Sequence, residues 1–313
     1  MAEVTASMVK ELRERTQAGM SDCKNALVEA GGDMEKAIEV ILKKGIVKAA
    51  SRAGKVAAEG EVRTLVVGDR GTIIEVNCQT DFVARGDDFR GFVGNVLQIA
   101  STVAKGADVN AAAYPGAAGN VDVYRQEMIA KTGENIVIRR FDSITAAPGG
   151  LVHAYIHMGG KLGVLIAVSA STPEAASSKS LVEFADNTAM QIAAMSPLVV
   201  SKESIAAADL AKQKEIFEAQ MREEQAAGTL KAPEASWPKI IEGKVAKWFN
   251  EVTLVGQESV TQPGSTVDKV REELGKQLGA DVKIDGFLRF AVGEGIEKKT
   301  DDLAAEVAKL TGG

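Results

Sequence analysis

The sequence is poor in the residues that build metal sites and disulfide frameworks. It contains two cysteines and two histidines among 313 residues. Cys23 and Cys78 lie far apart, and neither belongs to a CxxC or histidine-rich pattern, so neither a zinc site nor a disulfide is indicated. We therefore expect no metal and a reducing compartment, the cytoplasm.

Long apolar runs are also missing. No stretch approaches the roughly 18 uninterrupted apolar residues of a membrane helix, and the first residues, MAEVT, lack a basic region followed by an apolar one. Membrane insertion and secretion are therefore not expected. Aromatic residues make up only 4% of a chain that is 45% hydrophobic, which predicts an aliphatic, alanine-rich core.

An excess of positive charge is absent as well. The formal net charge is −6, and such a surface repels phosphate backbones, so no direct nucleic-acid partner is expected. One stretch, 43–55, is basic and contains no acid. It is either a solvated linker or a contact for a phosphate or an acidic partner.

The sequence has no phosphate-binding loop of the GxxxxGK[ST] type, which argues against a nucleotide-hydrolysing enzyme. The glycine-rich segment GGKLG (159–163) lies between two strand-like runs, where it predicts a hairpin rather than a dinucleotide loop. We expect no cofactor. A Cys78–His157 nucleophilic pair is possible in principle, but no oxyanion-stabilising group or third member accompanies it.

The N-terminal region predicts a bundle of three amphipathic helices, because its apolar residues recur at helical spacing. The predicted helices span residues 5–16, 21–30 and 33–44, and Asp33 is placed to cap the third. We assign this bundle to residues 1–45. An Ala-, Gly- and Lys-rich linker, residues 46–60, follows it.

The remainder contains an internal duplication. Two strand-like pairs, 61–67 with 71–77 and 151–157 with 162–169, are each joined by a glycine-containing turn. Each pair leads to an amphipathic helix, and a later strand completes each half, at 135–140 and at 286–292. The pattern predicts an α+β fold with two related core subdomains, 61–145 and 146–292.

The second half carries extra helical sequence at about 201–252. Apolar residues spaced by four, three and four along this segment predict an inserted helical hairpin. It is either a flank packed on the core or a protruding arm for a partner or for a homodimer. A last helix, 301–310, is predicted within a C-terminal module, residues 293–313.

The loop after the first hairpin distinguishes the two halves. The first half has CQTDFVARG (78–86), whereas the second has the plain segment SASTPEAASS (169–178). A shared scaffold with one elaborated loop indicates a function for that loop. Phe82 and Asp81 could insert into a partner. Alternatively, Phe82 and Val83 cover the core while Asp81 caps the next helix, and spacing alone favours this second interpretation.

Three motifs in this order resemble those of the bacterial elongation factor Ts family: NCQTDFV (77–83), LRERTQAGMSDCK (12–24) and VGEGIEK (292–298). The resemblance spans essentially the whole chain. It implies a ubiquitin-associated-like bundle, a duplicated core, a helical-hairpin dimerisation module and a C-terminal module. It also implies a nucleotide exchange factor that has no catalytic residues and binds the GTPase elongation factor Tu.

The same resemblance implies which residues contact the partner. Phe82 would wedge beside the magnesium and phosphate site of elongation factor Tu, and Asp81 would anchor it, with Thr80 and Val83 in the same loop.

Four further contacts are implied outside that loop. Arg13 and Met20 would lie where the bundle meets the partner, and His157 and Gly163 would lie in the contacting part of the second half. The alternative function is an adaptor that binds through its ubiquitin-associated-like bundle.

Overall fold

The computed structural model describes residues 4–16, 18–116 and 119–297, and the described chain begins with three helices. They are α1 (Ala6–Thr16), α2 (Met20–Glu29) and α3 (Met34–Arg52). Their apolar faces meet in a small core that includes the fully buried Leu12 and Leu27. The carboxylate of Asp33 accepts a hydrogen bond from the backbone N–H of Lys36 at 3.1 Å, which confirms the predicted cap.

Two antiparallel three-stranded sheets follow, each with its second strand in the middle. The first contains β1 (Glu59–Val67), β2 (Arg70–Cys78) and β3 (Val137–Thr145); the second contains β4 (Gly150–His157), β5 (Leu162–Ala170) and β6 (Val282–Ala291). Both middle strands shift register at the same relative place, between Glu75 and Val76 and between Ala167 and Val168. The shared order and register shift support the predicted duplication.

Helices accompany each sheet. The first half has α4 (Asp81–Arg85), α5 (Asp87–Thr102) and α6 (Val121–Thr132); the second has α7 (Pro173–Ala176), α8 (Lys179–Met195), the inserted α9 (Ala207–Ala226) and α10 (Trp237–Val252), and then α11 (Val267–Leu278). Short 3-10 helices occur at Val109–Ala111, Lys202–Ser204 and Glu234–Ser236. The predicted α+β class is confirmed.

The two sheets pack face to face. Their shared core includes Val62 and Ile73 from the first sheet and Leu165 and Phe290 from the second. Gly163 lies in this layer, where a Cβ atom would come within 2.6 Å of the Val62 Cγ1 atom. Close approach of the sheets therefore requires glycine at this position.

Helix α3 is longer than the predicted helix 33–44. It continues to Arg52, so that it occupies part of the segment 46–60 that the sequence predicts as a linker. Gly45 lies inside α3, and a Cβ atom there would contact the Ala130 Cβ atom of α6 at 3.6 Å. Packing on the core thus extends the helix past its glycine. The division into domains stays a prediction.

The inserted helices confirm the predicted hairpin. Met221, Trp237, Ile241 and Val245 form a buried cluster of their own, and the partly buried residues around it also belong to the insertion. At the root of the insertion, the backbone N–H of Leu254 donates to the carbonyl oxygen of Val199 at 2.9 Å. The hairpin therefore has its own core and leaves and re-enters the sheet domain at one place.

Two sequence predictions concern the C-terminal region and the membrane. The predicted helix 301–310 lies outside the described residues, as does most of the predicted module 293–313. Among the helices that the structure describes, none is long and apolar enough to cross a membrane.

Candidate partner-binding site

Phe82 projects from the first turn of α4 into solvent, with 86% of its surface exposed. The residues after it hold the helix to the protein, because Val83 packs against the core of the first half and Ala84 is buried. The hydroxyl oxygen of Thr80 accepts a hydrogen bond from the backbone N–H of Val83 at 3.3 Å. The interpretation that Phe82 and Val83 cover the core is therefore wrong for Phe82 and confirmed for Val83, which covers the core together with Ala84.

The predicted helix cap at this loop is also wrong. Thr80 is the N-cap residue of α4, whereas Asp81 is its first helical residue. A threonine hydroxyl at the cap position satisfies a free backbone N–H, and the carboxylate in the first turn still faces the positive end of the helix dipole. The Asp81 side chain is thus not used as the helix cap.

Asp81 forms an ion pair with Arg85, one turn further along α4. The Asp81 Oδ2 atom lies 2.9 Å from the Arg85 Nη2 atom, and the two side chains are 43% and 76% exposed. Exposed pairs of this kind contribute about 1 kcal/mol at most. Asp81 can therefore exchange Arg85 for a partner group at small cost.

The turn between β4 and β5 presents a second exposed surface. His157 is exposed, and its Nδ1 atom lies 3.0 Å from the Tyr155 hydroxyl. Met158, beside it, is 74% exposed. The surface therefore combines an imidazole with an apolar side chain, which suits contact with a protein.

The same turn is fastened to β1, on which α4 also packs. The backbone N–H of Val62 donates to the carbonyl oxygen of Gly160 at 2.7 Å, and the Lys161 ammonium lies 2.7 Å from the Glu59 carboxylate. The strand β1 therefore sets the position of the β4–β5 turn relative to residues 78–86, the Phe82 loop.

The other predicted contact residues lie in different surroundings. Arg13 and Met20 are exposed on the N-terminal bundle, whose α3 packs on α6. Gly163 is buried between the two sheets, so its position serves packing. A contact role for each of these residues stays a prediction.

The Cys78 thiol is unsuited to nucleophilic catalysis. Burial raises its pKa to about 12, so the thiol remains protonated near neutral pH. Its sulfur donates a hydrogen bond to the carbonyl oxygen of Thr80 at 3.2 Å. Cys78 thus supports the Phe82 loop from inside the protein.

Sequence reasoning did not single out Glu134, which contacts this loop from the segment before β3. The available signal was the internal duplication, since the equivalent residue in the second half is Ala280.

Among the residues that the structure describes, no group of three or more histidine, cysteine or acidic side chains is arranged to hold a metal.

Comparison with known sequences identifies the class of protein to which this duplicated fold, with its single elaborated loop, belongs. Residues 79–294 match the family model described as elongation factor TS, beginning directly at the Phe82 loop. Similar proteins named elongation factor Ts include that of a Nitratiruptor species, 45% identical over 97% of this chain and 98% of the relative. Those of Bdellovibrio bacteriovorus and Clostridium perfringens are each 44% identical, over 97% and 99% of both chains respectively. The chain belongs to the elongation factor Ts family and is a translation elongation factor.

Proposed function

We propose that this protein is a guanine nucleotide exchange factor, which binds elongation factor Tu and promotes the release of GDP. The observation that carries the proposal is the exposure of Phe82 on a helical turn that is capped by Thr80 and packed through Val83. A large aromatic side chain on a fixed support is typical of residues that dominate a protein interface.

In this mechanism, Phe82 enters the partner beside the site that holds magnesium and the phosphates of GDP. Asp81 leaves Arg85 and anchors the loop to the partner, which the exposed geometry of that ion pair allows. Displacing magnesium and a few phosphate contacts removes interactions that hold the nucleotide. Lowering the barrier to release by about 5 kcal/mol raises its rate several thousandfold.

Exchange requires no catalytic group on this chain, and we propose that it is not an enzyme. A factor that binds the nucleotide-free partner more tightly than the GDP form must weaken GDP binding by the same factor. The protonated thiol of Cys78 fits this interpretation better than that of a cysteine hydrolase.

Further contacts are proposed on two surfaces. Arg13 and Met20 would meet the partner through the bundle, and His157 would meet it through the β4–β5 turn. The exposure of these three side chains supports the assignment. Gly163 would act through the shape of the sheet that carries this turn.

The remaining proposals concern assembly and location. The inserted hairpin would mediate a homodimer, for which its separate hydrophobic cluster provides a rigid arm. We propose a cytoplasmic protein that uses no cofactor and contacts neither nucleic acid nor membrane. Its net charge of −6 supports the absence of a nucleic-acid contact.

The affinity of this protein for elongation factor Tu tests the proposal, measured once with nucleotide-free partner and once with partner saturated with magnesium and GDP. Tighter binding to the nucleotide-free form is expected, together with an equal loss of GDP affinity when this protein is present. Equal affinities for the two forms would refute exchange activity. The bundle would then be tested as an adaptor.

A further inference from the structure

Glu134 joins the segment before β3 to the loop that carries Phe82. Its Oε2 atom accepts hydrogen bonds from the backbone N–H groups of Gln79 and Thr80, both at 3.0 Å. Its Oε1 atom accepts a hydrogen bond from the Thr80 hydroxyl at 2.6 Å. Both carboxylate oxygens thus bind the two residues that directly precede α4, and bonds to a charged acceptor are stronger than neutral ones.

The contact also fixes the direction of the Thr80 hydroxyl. Because its hydrogen points to Glu134, a lone pair of the hydroxyl oxygen remains for the backbone N–H of Val83 at 3.3 Å. Glu134 therefore acts on the first turn of α4 through the cap. Phe82 lies in that turn, between the cap residue Thr80 and Val83.

The second half of the protein provides an internal comparison. Helices α6 and α11 occupy equivalent places, and each ends at a left-handed glycine, Gly133 or Gly279. In each helix an arginine donates to a backbone carbonyl oxygen at the beginning of the next strand or just before it: Arg125 to Ile136 at 2.9 Å and Arg271 to Val282 at 2.8 Å. The residue after the glycine is Glu134 in the first half and alanine in the second.

The equivalent loop of the second half, residues 169–178, forms the same helix cap without a carboxylate equivalent to that of Glu134. Thr172 accepts from the backbone N–H of Ala175 at 3.3 Å, the same distance as in the first half. The residue before the cap also accepts in both halves, because Gln79 Oε1 accepts from Asn135 N–H at 2.8 Å and Ser171 Oγ accepts from Asp281 N–H at 2.9 Å. The scaffold thus folds this corner without Glu134, whose three bonds occur only where the loop carries Phe82.

We propose that Glu134 is a positioning residue, which orders the first turn of α4 so that Phe82 is held in its binding orientation before the partner arrives. This inference rests on the proposed exchange function. Ordering a loop in advance removes an entropic cost that would otherwise weaken the complex.

The test uses Glu134→Ala, Glu134→Gln and Phe82→Ala as single variants, and each Glu134 variant combined with Phe82→Ala. The measurement is the rate constant of GDP release from elongation factor Tu at a fixed, subsaturating concentration of each variant. Glu134→Ala is expected to lower the rate constant by about tenfold. Glu134→Gln is expected to recover part of this loss, because an amide oxygen still accepts from the backbone N–H groups and the amide nitrogen can donate to Thr80.

Two results separate positioning from general stability. In the Phe82→Ala background, Glu134→Ala is expected to leave the release rate unchanged, since it acts through Phe82. It is expected to speed hydrogen exchange of the Val83 amide in both backgrounds. Equal slowing by Glu134→Ala with and without Phe82 would overturn the inference.

The failure of the proposed function would be seen separately. If the unaltered protein does not speed GDP release, the exchange function falls, and amide exchange alone decides the inference. Unchanged protection of the Gln79, Thr80 and Val83 amides in Glu134→Ala would then overturn it.

Discussion

The backbone N–H of Gly293 donates a 2.7 Å hydrogen bond to the carboxylate of Glu75, which is fully buried on β2. The same carboxylate lies 3.0 Å from Arg139 and 2.7 Å from Arg140. Gly293 has a positive φ of 72°, and a Cβ atom there would come within 2.3 Å of the carbonyl oxygen of Ala58. Glu75 therefore fastens the turn after β6 to the first sheet, and only glycine fits the turn.

Replacing this buried carboxylate should be costly. We expect Glu75→Gln to lower the free energy of unfolding by about 3 kcal/mol, because it leaves two partly buried arginines, Arg139 and Arg140, without their buried counter-charge. Urea denaturation measures the change. Glu183→Gln is the matched control, since Glu183 forms an exposed pair with Lys179 and its replacement should change stability by less than about 0.5 kcal/mol. Equal effects of the two substitutions would contradict this role for Glu75.

The charge state of Glu75 should also appear in the pH dependence of stability. Burial raises its pKa, but hydrogen bonds from Gly293, Asn77, Arg140 and Arg139 outweigh burial, so the pKa lies below the ordinary value of 4.5. Its stabilisation is therefore fully present above pH 4.5 and is lost as the pH falls through the lowered pKa. Unfolding free energies measured from pH 6 downward should decrease less steeply below 4.5 in Glu75→Gln. Parallel curves for the two proteins would exclude this contribution.

The two equivalent caps, Thr80 and Thr172, offer a paired test. Both Thr80→Val and Thr172→Val remove a cap hydroxyl, which costs about 1 kcal/mol of stability. Thr80→Val should cost more, because the hydroxyl also donates to Glu134. Only Thr80→Val should slow GDP release from elongation factor Tu, since only its loop carries Phe82. Equal slowing by both variants would show that the effect reflects stability alone.

The inserted hairpin should be removable. Its root is closed by the hydrogen bond between Leu254 and Val199, and its apolar cluster is its own. Replacing residues 201–251 with a short Gly/Ser linker should leave a folded core with a cooperative thermal transition. Sedimentation measures the assembly, and a dimer of the full chain should become a monomer. A dimer that survives the deletion would exclude the hairpin as the dimer contact.

The sequence predicted the elements whose residues repeat at a regular spacing. The hairpins and core helices follow from such periodicity, and the duplication follows from comparing the two halves. Helix α3 was predicted too short, because Gly45 and the residues after it read as a connector. Its continuation accompanies packing against α6, which lies far along the chain.

The position of the loop after the first hairpin was predicted, but its internal arrangement was not. Thr80 and Asp81 are both good cap residues, and only the backbone conformation decides that Thr80 takes the position. The role of Glu134 depends on hydrogen bonds to Gln79 and Thr80 across a long sequence separation. The spacing of apolar residues carries no information about such a contact. It forms only because the fold places the segment before β3 beside the loop.

Release of a fluorescent GDP analogue from magnesium-loaded elongation factor Tu, followed by stopped flow, tests the central claim most directly. The unaltered protein should accelerate release strongly. Phe82→Ala should lose most of that acceleration with little change in stability, because the side chain is 86% exposed. Val67→Ala, which removes another exposed apolar side chain at the end of β1, should match the unaltered protein. Equal acceleration by the unaltered protein and Phe82→Ala would contradict the role of Phe82, and no acceleration by the unaltered protein would contradict the exchange function itself.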